Sequence, residues 1–255
     1  MKTKKYNDSM TMAKRCLLLS KRNPDTLLTS IILPAILMLL FVSLFGNLIH
    51  IGNTSYVNYI VPGVLLQCIA QASATTGIMV NVDVTNGIIH RFSTLPIKNS
   101  ALLNGHVLAS IVRNVITSIV ILLAAALVGF RPLAGILDWC IIFLLLVGII
   151  TALSWFSVVV GIISKTPEGT GGASALLVIL PYLSSGFVPA ESLPRILQIF
   201  AKYQPMTPMI DSMRTMLLGE PLNMTHLTLA LTWCVVLTLI FYLMSLVLFK
   251  KRLQK

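Results

Sequence analysis

Long apolar stretches alternate with short polar breaks along this chain. About 20 residues of α-helix are needed to cross the ~30 Å hydrocarbon layer of a bilayer. Stretches of that length predict six transmembrane helices, at 26–46, 57–79, 104–129, 138–163, 173–190 and 227–249. The pattern therefore predicts an all-α polytopic membrane protein. A single transmembrane domain is expected over 1–255, with the bundle at 26–249 between an N-terminal segment (1–25) and a tail (250–255).

Composition supports a membrane protein and argues against an enzyme. Hydrophobic residues make up 56% of the 255 residues, and charged residues only 11%. Soluble domains usually carry about 25% charged residues. Because six crossings leave little chain for a water-soluble catalytic domain, we expect no enzymatic activity in this chain.

The basic residues indicate how the chain is oriented. Lys and Arg number 19 against 8 Asp and Glu, which gives a net charge of +11. Most of them lie in the N-terminal segment, in every second break and in the tail. Since cytoplasmic loops are enriched in Lys and Arg, both termini are predicted to be cytoplasmic in a plasma-membrane protein. Charges at the bilayer margin meet anionic lipid, so we expect no nucleic acid partner.

A short amphipathic segment precedes the first predicted span, at 8–25. Met12, Cys16, Leu17 and Leu19 offer an apolar face, and four basic residues offer partners for lipid headgroups: Lys14, Arg15, Lys21 and Arg22. This pattern is typical of a helix that lies along the inner leaflet. An N-terminal interfacial helix is therefore predicted.

The break at 81–100 carries an apolar stripe. Ile88, Phe92 and Leu95 follow one another at spacings of four and three residues, which is one face of a short helix. An Asn-Gly pair before the stripe and a proline after it are suited to begin and end that helix. Two explanations stand with equal weight. Either the stripe packs on the bilayer or the bundle, or it docks into a groove of a partner.

The break at 190–226 is too apolar for a solvated loop, although prolines interrupt it repeatedly. Its Leu, Ile, Phe and Met residues predict short helices that dip into the outer leaflet and pack against the bundle. Methionine-rich surfaces adapt to varied apolar partners. A route for apolar substrates and plain packing both remain open for this segment.

Few polar side chains fall inside the predicted spans. Arg113 is the one strongly charged residue there, and an unpaired buried arginine is costly. It either snorkels or faces a polar interior, and Asp83, near the inner end of the second span, is the candidate partner for an ion pair. Gln67 and Gln71 lie one turn apart on that span. They either line a path or, as is commoner, form hydrogen bonds between helices.

Motifs for enzymatic chemistry are missing from the sequence. There is no GxxxxGK[ST] loop to hold ATP, and no GxSxG or HExxH motif. The four cysteines form no CxxC pair, and the four histidines have no two-histidine ligand spacing. No catalytic residue and no metal site are predicted. Any energy source must lie in another protein.

Three stretches are informative when taken together. They are the segment from Asp83 through Gly87 to Pro96, the start of the third span at 105–114, and the Ser-Ser-Gly-Phe-Val-Pro run at 184–189 with the segment 203–219 that follows it. In these stretches the chain resembles the membrane subunit of type-2 ATP-binding-cassette (ABC) exporters. The resemblance is to the branch typified by daunorubicin-resistance permeases, and weaker similarity covers nearly the whole chain.

The resemblance implies partners that composition does not show. Family members pair as two permease subunits, in a homodimer or heterodimer, above two copies of a cytoplasmic ABC ATPase that bind ATP and Mg. This chain itself is then expected to hold no cofactor. The expected coupling helix, which sits in a cleft of the ATPase, comprises Gly87, Ile88, Ile89, Arg91, Phe92, Leu95 and Pro96. Residues expected along a translocation path are Gln67, Gln71, Ser184, Ser185 and Phe187.

The chain departs from the family where acidic residues are usual. Val84, Thr85, Asn86 and His90 stand at acidic positions of the coupling loop, and Ser110 stands three residues before Arg113. Hydrophobic docking is therefore expected to carry more of the ATPase contact.

The expected function is a permease that exports an amphipathic drug-like, lipid-linked or glycan substrate, driven by ATP hydrolysis in a separate subunit. An ion-gradient-driven transporter and a membrane anchor or sensor partnered with an ATPase are the alternatives. A transporter of the first kind predicts acidic residues deep in the spans and inverted repeats.

Overall fold

A computed structural model describes residues 5–22, 25–46, 54–89 and 99–253. The regular elements of these ranges are helical: α1 (Lys5–Arg22), α2 (Asp25–Phe45), α3 (Tyr56–Thr85), α4 (Asn99–Leu127), α5 (Ile136–Ile163), α6 (Pro167–Ile179), α7 (Arg195–Tyr203), α8 (Met206–Leu217) and α9 (Met224–Leu253). Two 3₁₀ turns, Leu180–Leu183 and Ala190–Ser192, follow α6. The all-α polytopic prediction is confirmed.

Five helices in the described ranges are long and apolar enough to cross a bilayer: α2, α3, α4, α5 and α9. The fifth predicted span, 173–190, takes a different form. It begins earlier, as the 13-residue helix α6, and continues as the 3₁₀ turn Leu180–Leu183. The helical run from 167 to 183 rises about 27 Å, slightly less than the ~30 Å hydrocarbon layer. The segment therefore nearly spans the layer, but not as one α-helix.

Local sequence explains why α6 is short. At its start the Thr166 hydroxyl accepts a hydrogen bond from the Gly169 amide at 3.1 Å, and Pro167 occupies the first turn. At its end Pro181 has no amide to donate, so the α-helix gives way to the 3₁₀ turn. Ser184 Oγ then donates to the Pro181 carbonyl at 2.5 Å. The chain leaves the helix here in a buried turn at 184–187.

Helix α3 is the centre of the bundle. Of its membrane-spanning residues 78% are buried, against 17% in the apolar window of α2 and 11% in that of α9. A Cβ at Gly77 would lie 2.5 Å from the Ser157 carbonyl oxygen, and a Cβ at Gly161 would lie 2.3 Å from the Gly77 oxygen. Small residues thus let α3 and α5 approach backbone to backbone, as is common between membrane helices.

The peripheral helices keep broad apolar faces uncovered. In α2 the exposed large side chains are Leu28, Ile32, Leu33, Ile36, Leu39, Leu40 and Leu44. An apolar surface of this extent is stable in a bilayer and an aggregation hazard in water. The exposure pattern agrees with an integral membrane protein.

The two ends of the bundle differ. We call the end that holds α1 the near side. There Met12 of α1 packs with Val84 of α3 and Phe249 of α9 in a buried apolar cluster. We call the other end, which holds α7, α8 and the start of α9, the far side. A helix forms in the segment 8–25 as predicted, as α1, and its Met12 and Cys16 are buried against the bundle. Its position along the inner leaflet stays a prediction.

The far-side segment forms short helices, as predicted. Helix α8 is buried, and its four methionines are each at most 1% exposed: Met206, Met209, Met213 and Met216. Helix α7, in contrast, exposes Ile196, Phe200 and Tyr203. Only the second of the two helices therefore packs fully against the bundle.

Candidate functional site

The coupling segment leaves the bundle through a turn at Gly87. Helix α3 ends at Thr85, with Asn86 as its C-cap. The Gly87 backbone has a φ of +67°, a conformation that favours glycine because other residues clash there. Its amide donates to the Val84 carbonyl at 3.3 Å. Gly87 thus ends α3 and redirects the chain, which is the position at which the sequence predicted the coupling helix to begin.

Only the first residues of that coupling helix are described. Ile88 and Ile89 are helical, and Ile88 is half-buried. Ile89 is 4% exposed and packs in the near-side apolar cluster with Leu102 and Val158. Ile89 therefore anchors the segment to the bundle and is not part of an exposed docking face. Four more predicted coupling residues lie outside the described residues: Arg91, Phe92, Leu95 and Pro96.

One carboxylate joins three helices beside this turn. Arg15 of α1 donates two hydrogen bonds to Asp83 of α3, from NH1 to Oδ2 at 2.7 Å and from NH2 to Oδ1 at 2.9 Å. Nε2 of His106, on α4, lies 3.0 Å from Asp83 Oδ2. The Asp83 and His106 side chains are 6% and 1% exposed. We call Arg15, Asp83 and His106 the Asp83 cluster.

The predicted ion pair between Asp83 and Arg113 is not formed, so that prediction was wrong. Arg113 donates instead to the Ser20 hydroxyl of α1 at 3.0 Å and to the Thr76 hydroxyl of α3 at 2.8 Å. Both oxygens of Asp83 already accept from Arg15, and Oδ2 also lies 3.0 Å from His106 Nε2. Arg113 is buried and hydrogen-bonded, and it forms no ion pair with a described side chain.

Close packing holds α1 at the same place. A Cβ on Gly105 of α4 would lie 2.4 Å from the Met12 Cβ, so the two helices approach as only a glycine allows. Cys16 Sγ lies 3.5 Å from His106 Nδ1. The hydrogen bonds with Asp83 raise the pKa of Arg15 above its ordinary value, so Arg15 stays charged. Helix α1 is therefore fixed to the two helices that flank the coupling segment.

Sequence reasoning missed Arg15 and His106 as partners of Asp83. Arg15 lies beside Met12 and Cys16 on the helical wheel of α1, and this proximity to the apolar face could have signalled burial. His106 lies inside an apolar stretch, where an ionisable group needs a partner. Neither signal identifies Asp83 as that partner, because periodicity carries no information about contacts between helices.

The residues predicted along a translocation path are packed inside the single chain. Gln67, Ser184, Ser185 and Phe187 are buried, and Gln71 is half-buried. The Phe187 ring stacks on Tyr182 with 4.6 Å between centroids. A path lined by these five residues stays a prediction.

A second ionic cluster holds the buried turn at 184–187 on the far side. Asp211 Oδ1 accepts from Ser185 Oγ at 2.6 Å and from Arg214 NH1 at 2.7 Å. Arg214 also donates to the Ser185 carbonyl at 2.5 Å and lies over the Tyr59 ring, 3.7 Å from its centroid. The Tyr59 hydroxyl donates to the same carbonyl at 2.9 Å. We call Tyr59, Ser185, Asp211 and Arg214 the Asp211 cluster.

A metal site in the described ranges would need several ligating side chains close together. Within residues 5–22, 25–46, 54–89 and 99–253 no three His, Cys, Asp or Glu side chains come together in a way that could hold a metal ion. The four cysteines are free thiols.

Comparisons with known proteins assign the family. The family model described as "ABC-2 type transporter" matches residues 8–218. The "Daunorubicin resistance ABC transporter permease protein DrrB1" of Streptomyces coeruleorubidus is 28% identical over 213 residues, which cover 83% of this chain and 75% of that protein. The "Probable doxorubicin resistance ABC transporter permease protein DrrC" of Mycobacterium tuberculosis is 26% identical over 204 residues, 78% of this chain and 73% of that protein. The chain belongs to the ABC-2 type transporter family and is the membrane-embedded permease of an ABC transporter.

Proposed function

We propose that this permease exports its substrate by using ATP hydrolysis in a separate ATPase subunit, which docks on the segment after Gly87. The observation that carries the proposal is the fixation of α1 to both helices that flank this segment. Because the Asp83 cluster links α1, α3 and α4, a push on the segment moves three helices together and not one loop. This is the mechanical arrangement that a nucleotide-driven permease needs.

Each predicted coupling residue has a role in this proposal. Gly87 turns the chain out of α3, and Ile89 anchors the start of the segment in the near-side apolar cluster. The stripe of Ile88, Phe92 and Leu95 supplies the hydrophobic contact with the ATPase. Arg91 adds a charge at its rim, and the proline at 96 ends the helix.

The proposed assembly has two permease subunits and two ATPase subunits. ATP and Mg are held by the ATPases, because this sequence has no phosphate-binding loop. The near side faces the cytoplasm of the cell, with both termini there. Basic residues at the end of α9 (Lys250, Lys251 and Arg252) and on α1 support this orientation in a plasma membrane.

The proposed substrate is an amphipathic drug-like molecule. Two relatives carry daunorubicin and doxorubicin resistance in their names. Lipid-linked and glycan substrates are less well supported, because no feature of the described residues favours a sugar.

The experiment that tests the coupling proposal replaces Phe92 with Asp. Reconstituted with its ATPase in proteoliposomes, the Phe92→Asp variant is expected to lose transport and substrate-stimulated ATPase activity while its amount in the membrane is unchanged. Burial of a phenylalanine side chain is worth about 1.5–3 kcal/mol, enough to abolish a weak docking contact. The matched control, Phe92→Leu, keeps an apolar side chain and is expected to retain most of the activity.

Two outcomes would contradict this proposal. Normal transport and ATPase stimulation by Phe92→Asp would show that the stripe packs on the bundle or bilayer and does not dock. Transport by the permease alone, driven by an ion gradient without any ATPase, would support the secondary-transporter alternative.

A further inference from the structure

Two cavities lie along α9, one between α9 and the helices α7 and α8, and the other mainly between α9, α5, α6 and the start of α8. The first is a cleft of about 690 Å³ with a mixed polar and apolar lining, which includes Gln198, Lys202, Gln204, His226 and Trp233. The second is a groove of about 440 Å³, whose lining is apolar throughout and includes Leu176, Leu183, Met209, Leu237 and Phe241. Both volumes fall in the range of ligand-binding pockets.

The cleft and the groove follow one face of α9. Trp233 lines the cleft, and Leu237 and Phe241 line the groove at successive spacings of four residues, which keeps all three side chains on one stripe. From Trp233 to Phe241 the helix descends about 12 Å. One leaflet of the hydrocarbon layer is about 15 Å deep. The stripe from the cleft to the groove thus extends over most of the length of an acyl chain in one leaflet.

Several side chains that line the cleft can donate hydrogen bonds. The carboxylate of Asp211 is already engaged by Ser185 and Arg214, and His226 Nδ1 lies 3.6 Å from its second oxygen. Lys202 forms no ion pair with any described side chain and is exposed. The ammonium group of Lys202, the indole N–H of Trp233 and the amide of Gln198 can all donate to an anion.

One buried acceptor in the cleft has no partner. Gln204 is 5% exposed, and its amide nitrogen donates to the Leu183 carbonyl at 2.6 Å. No described residue donates to its Oε1. A buried amide oxygen without a hydrogen bond is unfavourable, and a hydroxyl group on a bound headgroup would satisfy it.

We propose that the far side binds a phospholipid with an anionic glycerol-phosphate headgroup, the phosphate in the cleft and one acyl chain in the groove. Lys202 supplies the positive charge, Gln204 accepts from a headgroup hydroxyl, and Leu237 and Phe241 contact the chain. The lipid comes from the leaflet at the far side, which is the outer leaflet in the orientation proposed above. Binding itself depends on neither that orientation nor ATP.

The fluorescence of Trp233 can be used to measure lipid binding. In a Trp139→Phe, Trp155→Phe background, Trp233 is the remaining tryptophan, and lipids brominated on the acyl chain near the headgroup quench its fluorescence on contact. We expect brominated phosphatidylglycerol to quench it more strongly than brominated phosphatidylcholine. Lys202→Glu is expected to lower this preference about tenfold, because the change removes one attraction and adds one repulsion. Arg195→Glu, an equal charge reversal on the same exposed helix but outside the cleft, is expected to leave the preference unchanged.

A second variant tests the groove. With Trp233 also changed to Phe, Phe241→Trp places the only tryptophan at the deep end of the apolar groove. Bromines near the end of the acyl chain are expected to quench this tryptophan more than bromines near the headgroup.

Three results would contradict the proposed lipid site. Equal quenching by the two headgroups, or an equal loss with Arg195→Glu, would show that no specific headgroup site exists. No quenching of Trp233 by either lipid would show that another protein chain, such as a second copy, covers this face. The assay uses the purified permease in vesicles without ATPase, so its failure is distinct from a failure of the coupling proposal.

Discussion

The near and far sides of the bundle each hold one carboxylate paired with one arginine, yet the two pairs connect different parts of the molecule. Arg15 and Asp83 lie 68 residues apart and join α1 to α3. Asp211 and Arg214 lie three residues apart on α8, and they contact the turn at 184–187, Tyr59 of α3 and His226 of α9. The near-side pair itself bridges two helices, whereas the far-side pair lies within one helix and also supports a buried turn.

This difference indicates which end of the bundle transmits movement between helices. In the Asp83 cluster Asp83 and His106 are buried and Arg15 is 27% exposed, and the three side chains lie on separate helices, so breaking the cluster removes contacts between those helices. In the Asp211 cluster Arg214 donates to the backbone carbonyls of Ser185 and Tyr59, and the Arg214 and Asp211 side chains are 11% and 21% exposed. When one contact is lost there, several remaining contacts still hold the turn in place. We infer that the near side carries motion between helices and the far side serves as a fixed platform.

The largest effect is expected for Asp83→Ala. Removal of the carboxylate leaves Arg15 and His106 without their shared partner, and breaking a buried ion pair typically costs about 3–5 kcal/mol. The midpoint of unfolding in detergent should fall accordingly, and α1 should become accessible to proteolysis. Glu168→Ala removes an exposed carboxylate and should leave both measurements unchanged. Protection of α1 in the Asp83→Ala variant would show that apolar packing alone fixes this helix.

An intermediate effect is expected for Arg214→Ala. This change removes charge-assisted hydrogen bonds to Asp211 and to the Ser185 carbonyl, and such bonds contribute about 1.5–3 kcal/mol. The loss of stability should be smaller than for Asp83→Ala and should leave α1 protected from protease. The matched variant Arg214→Lys keeps the charge without the planar fork and should recover part of the loss. If α1 became accessible to protease in the Arg214→Ala variant, the two ends of the bundle would be coupled, which contradicts the difference inferred between them.

The smallest effect is expected for Tyr59→Phe. The substitution removes a single hydrogen bond to the Ser185 carbonyl, which Arg214 also contacts, while keeping the ring under the guanidinium. A net loss of about 1 kcal/mol or less is expected in unfolding experiments. Tyr56→Phe, which removes the neighbouring bond to the Phe187 carbonyl, serves as the parallel measurement. A much larger loss in either variant would indicate that the turn at 184–187 folds only with every donor in place.

The sequence predicted the elements much better than their contacts. Apolar length predicted five of the long helices, and the amphipathic pattern at 8–25 predicted α1. The same reasoning extended the fifth span through Pro181 to 190, because hydropathy does not register the loss of an amide at a proline. It also paired Asp83 with Arg113, since only their depth in the membrane was considered.

The sequence by itself determined that this chain lies in a membrane as a bundle of helices, because the cost of placing backbone and side chains in hydrocarbon is a local property of each segment. Only the tertiary structure decided that Asp83 binds Arg15 and His106, and that a cleft and an apolar groove lie along one face of α9. Those features depend on how helices distant in sequence cross one another, and the periodicity of a single helix does not encode its neighbours.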